Sequence, residues 1–227
     1  MTDISDRPAA SVDDLVVGVL GGTGEQGRGL ARRLAMAGQR VIIGSRDASR
    51  AATAAEELGL GATGRSNADC AEASDIVIVA VPWDGHGALL KGLVEPLAGK
   101  VVVDCVNPLA FDKQGAYALR VDEGSAAEQA AGLLIDSRVV AAFHHISATL
   151  LLDESVESIE TDVLVLGDDR PATDLVQALA DRIPGMRGLY GGRLRNAGQV
   201  EAMTANLISI NRRYKVHAGL RVTGCGD

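Results

Sequence analysis

The stretch Gly22-Thr23-Gly24-Glu25-Gln26-Gly27 stands between a short apolar run at 16–20 and a segment from Leu30 to Ala37 whose apolar residues recur at helical spacing. A second apolar run, Val41-Ile42-Ile43, follows after Gly38. Strand, glycine turn, helix, strand is the context in which Gly-x-Gly-x-x-Gly binds a dinucleotide. One glycine makes the turn, one lets backbone approach a pyrophosphate, and one lets the helix pack closely on the strand. The pyrophosphate then meets unpaired N–H groups at the helix N-terminus.

Further apolar runs lie at 76–81, 101–104, 139–143 and 163–166. Val/Ile runs without polar alternation describe strands buried on both faces. Helical stretches lie between them, one opening at Asp47 and stopping at Gly59, another introduced by Ser66-x-x-Asp69, a capping signal. Strands alternating with helices predict an α/β fold with a doubly wound, mostly parallel sheet, whose ligands bind beyond the carboxyl ends of the strands.

The end of the second strand selects the dinucleotide. An NAD site carries Asp or Glu there for the ribose hydroxyls. This chain has Gly44-Ser45-Arg46, with Arg50 one turn on. A hydroxyl donor and two guanidinium forks suit a 2′-phosphate, which predicts NADP(H).

The remaining composition mostly excludes. A net charge of -8 without any basic run argues against a nucleic-acid partner or an anionic membrane surface. No apolar run approaches 18 residues, and the polar first dozen residues read as a loose tail, not a signal peptide. Cys70, Cys105 and Cys225 are odd in number, far apart and without a CxxC, which points to a reducing cytoplasm and to no disulfide framework or thiolate metal site. Cys105 has no partner base and reads as a small apolar filler. His144 and His145, adjacent in an expected strand, would point to opposite faces, so at most one would face a site and the two could share no metal. Trp83 could pack a ligand or the core. The polar segment at 111–124 reads as a loop overhanging the cleft, free to gate a second ligand, and Ser125-x-x-Glu128 as a capping box for a helix through Leu134. Apolar positions from Val200 to Ile210 predict an amphipathic helix over 196–217.

The Gly-Gly-Thr-Gly-x-x-Gly turn, Gly44-Ser45-Arg46, Val81-Pro82-Trp83, Phe143-His144-His145-Ile146, Val165-Leu166-Gly167-Asp168-Asp169 and Gly191-Gly192-x-Leu194 resemble, in that order, the NADPH-dependent reductases of the deazaflavin coenzyme F420. The resemblance implies a Rossmann domain over 15–183, after a tail at 1–14, and a small helical part at 184–227 covering the cofactor cleft. It implies hydride transfer between NADP(H) and F420 in a homodimer. Thr23, Gly24, Glu25 and Gln26, with Gly22 and Gly27, would hold the pyrophosphate, and Ser45, Arg46 and Arg50 the 2′-phosphate. Val81, Pro82, Trp83 and Asn107 would lie along the nicotinamide, with Ala148 closing the site. His144, Ile146 and Ala218 would face the deazaflavin. Family members usually carry proline where this chain has Ser147. Direct transfer needs two rings positioned and water excluded, so no catalytic acid, base or nucleophile is expected. The proton consumed would come from solvent. Arg193, Arg195, Arg212, Arg213 and Lys215 are candidates for the anionic tail of F420. Two other functions share the dinucleotide half: an NADPH-dependent reductase of a small carbonyl or imine, and a non-enzymatic NADPH sensor.

Overall fold

The computed structural model describes residues 10–225. Its first βαβ unit is built as the glycine pattern predicts: β1 (Val16–Leu20), α1 (Glu25–Met36) and β2 (Arg40–Ser45), with β1 and β2 parallel. The elements that follow are α2 (Ala48–Leu58), β3 (Thr63–Ser66), α3 (Asn67–Glu72), β4 (Ile76–Val79), α4 (Trp83–Lys91), α5 (Val94–Leu97) and β5 (Val101–Asp104). A hairpin, β6 (Leu109–Phe111) and β7 (Ala116–Ala118), precedes α6 (Ala126–Leu133), β8 (Arg138–Ala141) and α7 (Ala148–Leu152). The chain ends with β9 (Thr161–Gly167), α8 (Arg170–Asp181), β10 (Met186–Gly192), a 3-10 turn at Leu194–Asn196 and α9 (Ala197–Tyr214).

The sheet order is β10-β9-β8-β5-β4-β1-β2-β3. Six strands from β8 to β3 are parallel; β9 meets β8 antiparallel, and β10 runs with β9. The sheet is therefore doubly wound and mostly parallel, with β4 and β1 lying between the two halves. One core packs α1, α2, α7 and α8 on one face, through Leu30, Leu34, Ala51, Leu151, Val176 and Leu179. The other packs α3 to α6 and the start of α9, through Cys70, Leu90, Leu97, Ala130 and Val200. Local signals agree with this frame. Asp47 and Ser66 cap α2 and α3 by accepting from Ser49 N and Asp69 N, and Ser125 caps α6 by accepting from Glu128 N.

Several expectations are corrected. The sheet runs past residue 183: β10 pairs with β9, so the helical part begins only after residue 192. Of the tail expected at 1–14, residues 1–9 lie outside the described residues, and the remainder is anchored. Val12 is 3% exposed, and Gln39 Nε2 donates to its carbonyl at 2.9 Å. The segment 111–124 is not wholly a loop, because β6 pairs with β7 and β7 rests on α9. Strands expected at 76–81 and 139–143 stop at Val79 and Ala141. The second stop has a visible cause: Phe143 adopts φ +62°, a left-handed conformation that ends the extended alternation.

Gly64 in β3 lies directly under α2. A Cβ built there would stand 2.2 Å from the carbonyl carbon and oxygen of Ala51, which are backbone and cannot turn aside. Gly64→Ala is expected to destabilise the protein by about 3 kcal/mol, at the high end for overpacking; urea unfolding checks this, and a loss below about 1 kcal/mol would contradict it.

Candidate functional site

At the carboxyl ends of the parallel strands lies a cleft of about 600 Å³, a size that suits a ligand ring system. Gly24, Glu25 and Gln26 form one end of its wall. The turn before them is made by Gly21, at φ +75°, one residue ahead of the three-glycine pattern. Gly24 is the N-cap of α1 and carries no side chain to cap it, so the first-turn N–H groups stay open to a ligand. A Cβ on Gly27 would stand 2.6 Å from Gly21 O, which is why the third glycine is needed for helix to meet strand. Gly22 is buried against Ile43 and Val19 O, and Thr23 is half-buried in the turn.

Ser45 ends β2, and the register Leu20↔Gly44 sets it beside the glycine turn. It is 8% exposed and its Oγ accepts from Asp47 N at 3.3 Å. Arg46 and Arg50 are exposed, and neither makes a salt bridge among the described residues. These three residues and Gly22, Thr23 and Gly27 lie outside the wall of the 600 Å³ cleft.

Val81, Pro82, Asn107, His144, Ile146, Ala148 and Ala218 all line it. Trp83 does not: it opens α4 and its ring stacks on His86 at 5.6 Å and 29°. His144 and His145 sit in a turn and not in a strand, so the strand alternation expected for them is absent, and both residues line the cleft. The turn is held from four parts of the chain. Gln26 Nε2 donates to Phe143 O at 3.3 Å, Asn107 Nδ2 and Thr204 Oγ1 donate to His144 O at 2.7 and 3.1 Å, and His145 Nε2 donates to Asp162 O at 2.7 Å. The surroundings thus fix the left-handed Phe143 in place.

Burial pushes the His144 imidazole down to about 4 and lowers that of His145, so both are neutral at physiological pH. Neither His144 ring nitrogen completes a hydrogen bond of good geometry, and Asn107 Oδ1 has no partner. These three atoms have almost no accessible surface, and the backbone of Val106 and Cys105 lies against the His144 ring, so they stand behind the cleft wall. Burial also pushes the Cys105 thiol well up; its Sγ donates to Val79 O at 3.1 Å, which makes it a packed side chain and not a nucleophile. Among the described residues no group of three or more His, Cys, Asp or Glu could hold a metal ion.

Reasoning from sequence set the C-terminal helical part over the cleft but named only Ala218 in it; Thr204, Leu207, Ile208 and Asn211 of α9 also line it. The amphipathic pattern of 196–217 was the available signal. Of the cationic candidates, Arg193 lies 3.5 Å from Asp168, Arg212 and Arg213 end α9, and Lys215 is its C-cap; none lines the cleft.

Behind the cleft, β5 ends in a buried charged cluster. His86 Nε2 donates to Asp104 Oδ2 at 2.6 Å and Nδ1 to Gln129 Oε1 at 3.0 Å, an amide orientation set by Gln129 Nε2 donating to Glu123 Oε1. Burial opposes the imidazolium, but the Asp104 and Gln129 acceptors outweigh it and raise the His86 pKa. Glu201 of α9 accepts from Ala126 N and Ala127 N at the start of α6, and burial pushes its carboxyl up to about 7. Both groups hold protons more tightly folded than unfolded. Their stabilisation is fully present below the unfolded pKa and is lost as pH rises through the folded one. The Glu201 contribution is therefore expected to be lost between about pH 4.5 and pH 7 and that of His86 only above about pH 6.5, and Glu201→Gln to flatten the slope over the lower window. Urea midpoints at pH 5, 6, 7 and 8 check this; an unchanged slope in the variant would contradict it.

Comparison with known proteins places this geometry. The family model for NADP oxidoreductase coenzyme F420-dependent proteins matches residues 16–108. An F420-dependent NADP reductase of Methanothermobacter marburgensis is 42% identical over 219 residues, spanning 91% of this chain and 97% of that protein. The chain belongs to the F420-dependent NADP reductase family. A relative of the same description from Methanocaldococcus jannaschii is 36% identical over 91% of this chain and 97% of its own length. Among solved structures, a candidate F420-dependent NADP reductase from Arthrobacter sp. fb24 superposes with TM-score 0.80 at 25% identity, covering 92% of this chain and 99% of that one. The imine reductase BcSIRED from Bacillus cereus shares the fold at TM-score 0.62 and 20% identity, with 62% of its chain covered.

Proposed function

We infer that this protein transfers a hydride between NADP(H) and the deazaflavin coenzyme F420: NADPH, oxidised F420 and a proton exchange with NADP+ and reduced F420. The observation that carries the reading, beside family membership, is a single cleft. It runs from the open N-terminus of α1, past Val81 and Pro82, to the wall made by α9.

When both are bound, the nicotinamide supplies or takes the hydride and the deazaflavin does the reverse. The residues bind, orient and exclude water. The α1 N-terminus with Thr23, Gly24, Glu25 and Gln26 holds the pyrophosphate, and Ser45, Arg46 and Arg50 hold the 2′-phosphate. Val81, Pro82, Ile146, Ala148 and Leu207 make an apolar wall that keeps water from the reacting carbons. Asn107 and His144 shape the wall against which the rings lie, and Ala218 closes the deazaflavin side. The transfer is direct and asks for no catalytic acid, base or nucleophile, and solvent supplies the proton. Among the described residues no helix is long and apolar enough to cross a membrane. A homodimer working in the cytoplasm completes the proposal, supported by the family resemblance and the cysteine pattern.

The test is loss of the deazaflavin's visible absorbance on mixing with NADPH, repeated with NADH. Rapid bleaching with NADPH and little with NADH is expected. Tight NADPH binding without bleaching would overturn the reading in favour of a small-substrate reductase or a sensor.

A further inference from the structure

We propose that Asp162 is a positioning residue for the deazaflavin end of the cleft, where it joins the His145 turn to the chain segment that carries Ala218. The inference rests on the function proposed above.

The argument starts from strand direction. Because β9 runs opposite to β8, with Ala141 facing Leu166, the first residues of β9 project beyond the carboxyl end of β8, on the cleft side. Asp162 is second in β9 and its side chain is wholly buried. It uses every polar group it has. Its carbonyl accepts from His145 Nε2 at 2.7 Å, and its N–H donates to Leu220 O at 2.7 Å. Oδ1 accepts from Arg187 Nε at 2.8 Å and Arg221 Nη1 at 3.0 Å. Oδ2 accepts from Arg187 Nη2 at 3.0 Å and Val222 N at 2.6 Å. Thr161 beside it accepts from Leu220 N at 3.0 Å.

Residues 216–222 have no regular secondary structure, so nothing in a helix or strand ladder sets their place. Ala218 N donates to Asn211 Oδ1 of α9 at 2.7 Å, and four residues later Val222 is held by Asp162. Ala218 is thereby bracketed between the two anchors while it lines the cleft. Gly219 permits the close approach: a Cβ there would stand 2.8 Å from Thr161 Oγ1. A buried carboxylate shared by two arginines is weak as a stabilising device, but it fixes one arrangement of the groups around it. Here those groups belong to two walls of one cleft. The dinucleotide end, at the α1 N-terminus and the β2 terminus, makes none of these bonds.

The experiment uses the full chain with Arg221→Gln, Arg221→Lys and Asp162→Asn. It measures KM for deazaflavin and for NADPH, kcat, and amide exchange at Asp162 and Val222. Arg221 is half-exposed, so its variants fold even where Asp162→Asn does not. Arg221→Gln removes the charged donor that Asp162 Oδ1 and Glu160 Oε2 share and is expected to raise the deazaflavin KM about fivefold to tenfold, with kcat and the NADPH KM within about twofold. Amide exchange at Val222 speeds up, and Arg221→Lys recovers part of the KM. A deazaflavin KM within twofold of wild type despite faster exchange would overturn the positioning role, as would parallel rises in both KM values. Failure of the wild-type protein to bleach deazaflavin would overturn the function and this inference together, which separates the two cases.

Discussion

Arg46→Asp is expected to raise the KM for NADPH about a hundredfold or more while leaving the KM for deazaflavin within a few-fold. Arg46 stands immediately after the last residue of β2, beside the glycine turn, exposed and without a salt bridge among the described residues. A guanidinium with no protein carboxylate to satisfy it is available to a phosphate, and a bidentate pair of that kind contributes about 2–3 kcal/mol. The variant loses that pair and sets a carboxylate where an NAD site has one, so repulsion of the 2′-phosphate adds to the loss. Use of NADH should improve relative to NADPH for the same reason. Steady-state kinetics with both dinucleotides checks it; an NADPH KM within about threefold of wild type would mean that Arg46 is an ordinary solvated charge.

The second large effect is structural. Arg33 of α1 is 2% exposed, and its guanidinium donates to four backbone carbonyls around the end of α7: Leu151 at 2.9 Å, Val156 at 2.5 Å, Leu150 at 2.6 Å and Asp153 at 2.9 Å. Cationic donors at the carboxyl end of a helix satisfy the carbonyls its last turn leaves open. Arg33→Met keeps much of the side-chain volume but leaves those carbonyls buried without a donor. The expected loss is about 3–5 kcal/mol, by analogy with breaking a buried pair, or about 10 °C in Tm for a chain of this size. Because α7 begins at Ala148 in the cleft wall, activity at 25 °C should also fall in the fraction that stays folded. Calorimetry checks the stability, and a Tm lowered by less than about 3 °C would contradict the account.

The strands legible in the sequence are the ones buried on both faces, because Val and Ile runs such as 76–79 and 101–104 have one physical explanation. In the eight-stranded sheet the illegible ones sit at the two edges. Thr63–Ser66 and Met186–Gly192 read as poor strands because they carry Gly64 and Gly188, Gly191 and Gly192. Two of those glycines serve the sheet: a Cβ on Gly64 would strike the Ala51 backbone, and one on Gly188 would stand 2.6 Å from the backbone of Gln177. A residue that weakens a strand locally was needed to let a helix lie close. The His144-His145 turn was illegible because a left-handed phenylalanine has no sequence signature; only the bonds from Gln26, Asn107, Thr204 and Asp162, far apart in the chain, hold it. The glycine turn and the end of β2 at Ser45 were legible since their geometry is local. Which residues of α9 line the cleft was not, since the face of an amphipathic helix that meets a cleft is decided by tertiary contacts such as Glu201 on the α6 N-terminus.

The most direct test of direct hydride transfer in one water-excluding cleft is a single turnover with NADPH deuterated at the transferred position, run in ordinary water and read by mass spectrometry of the reduced deazaflavin. Direct transfer predicts that the label arrives quantitatively on the deazaflavin carbon. Arrival of solvent hydrogen at that carbon instead would show that a protein group or water intervenes, and would contradict a cleft that works without a catalytic side chain.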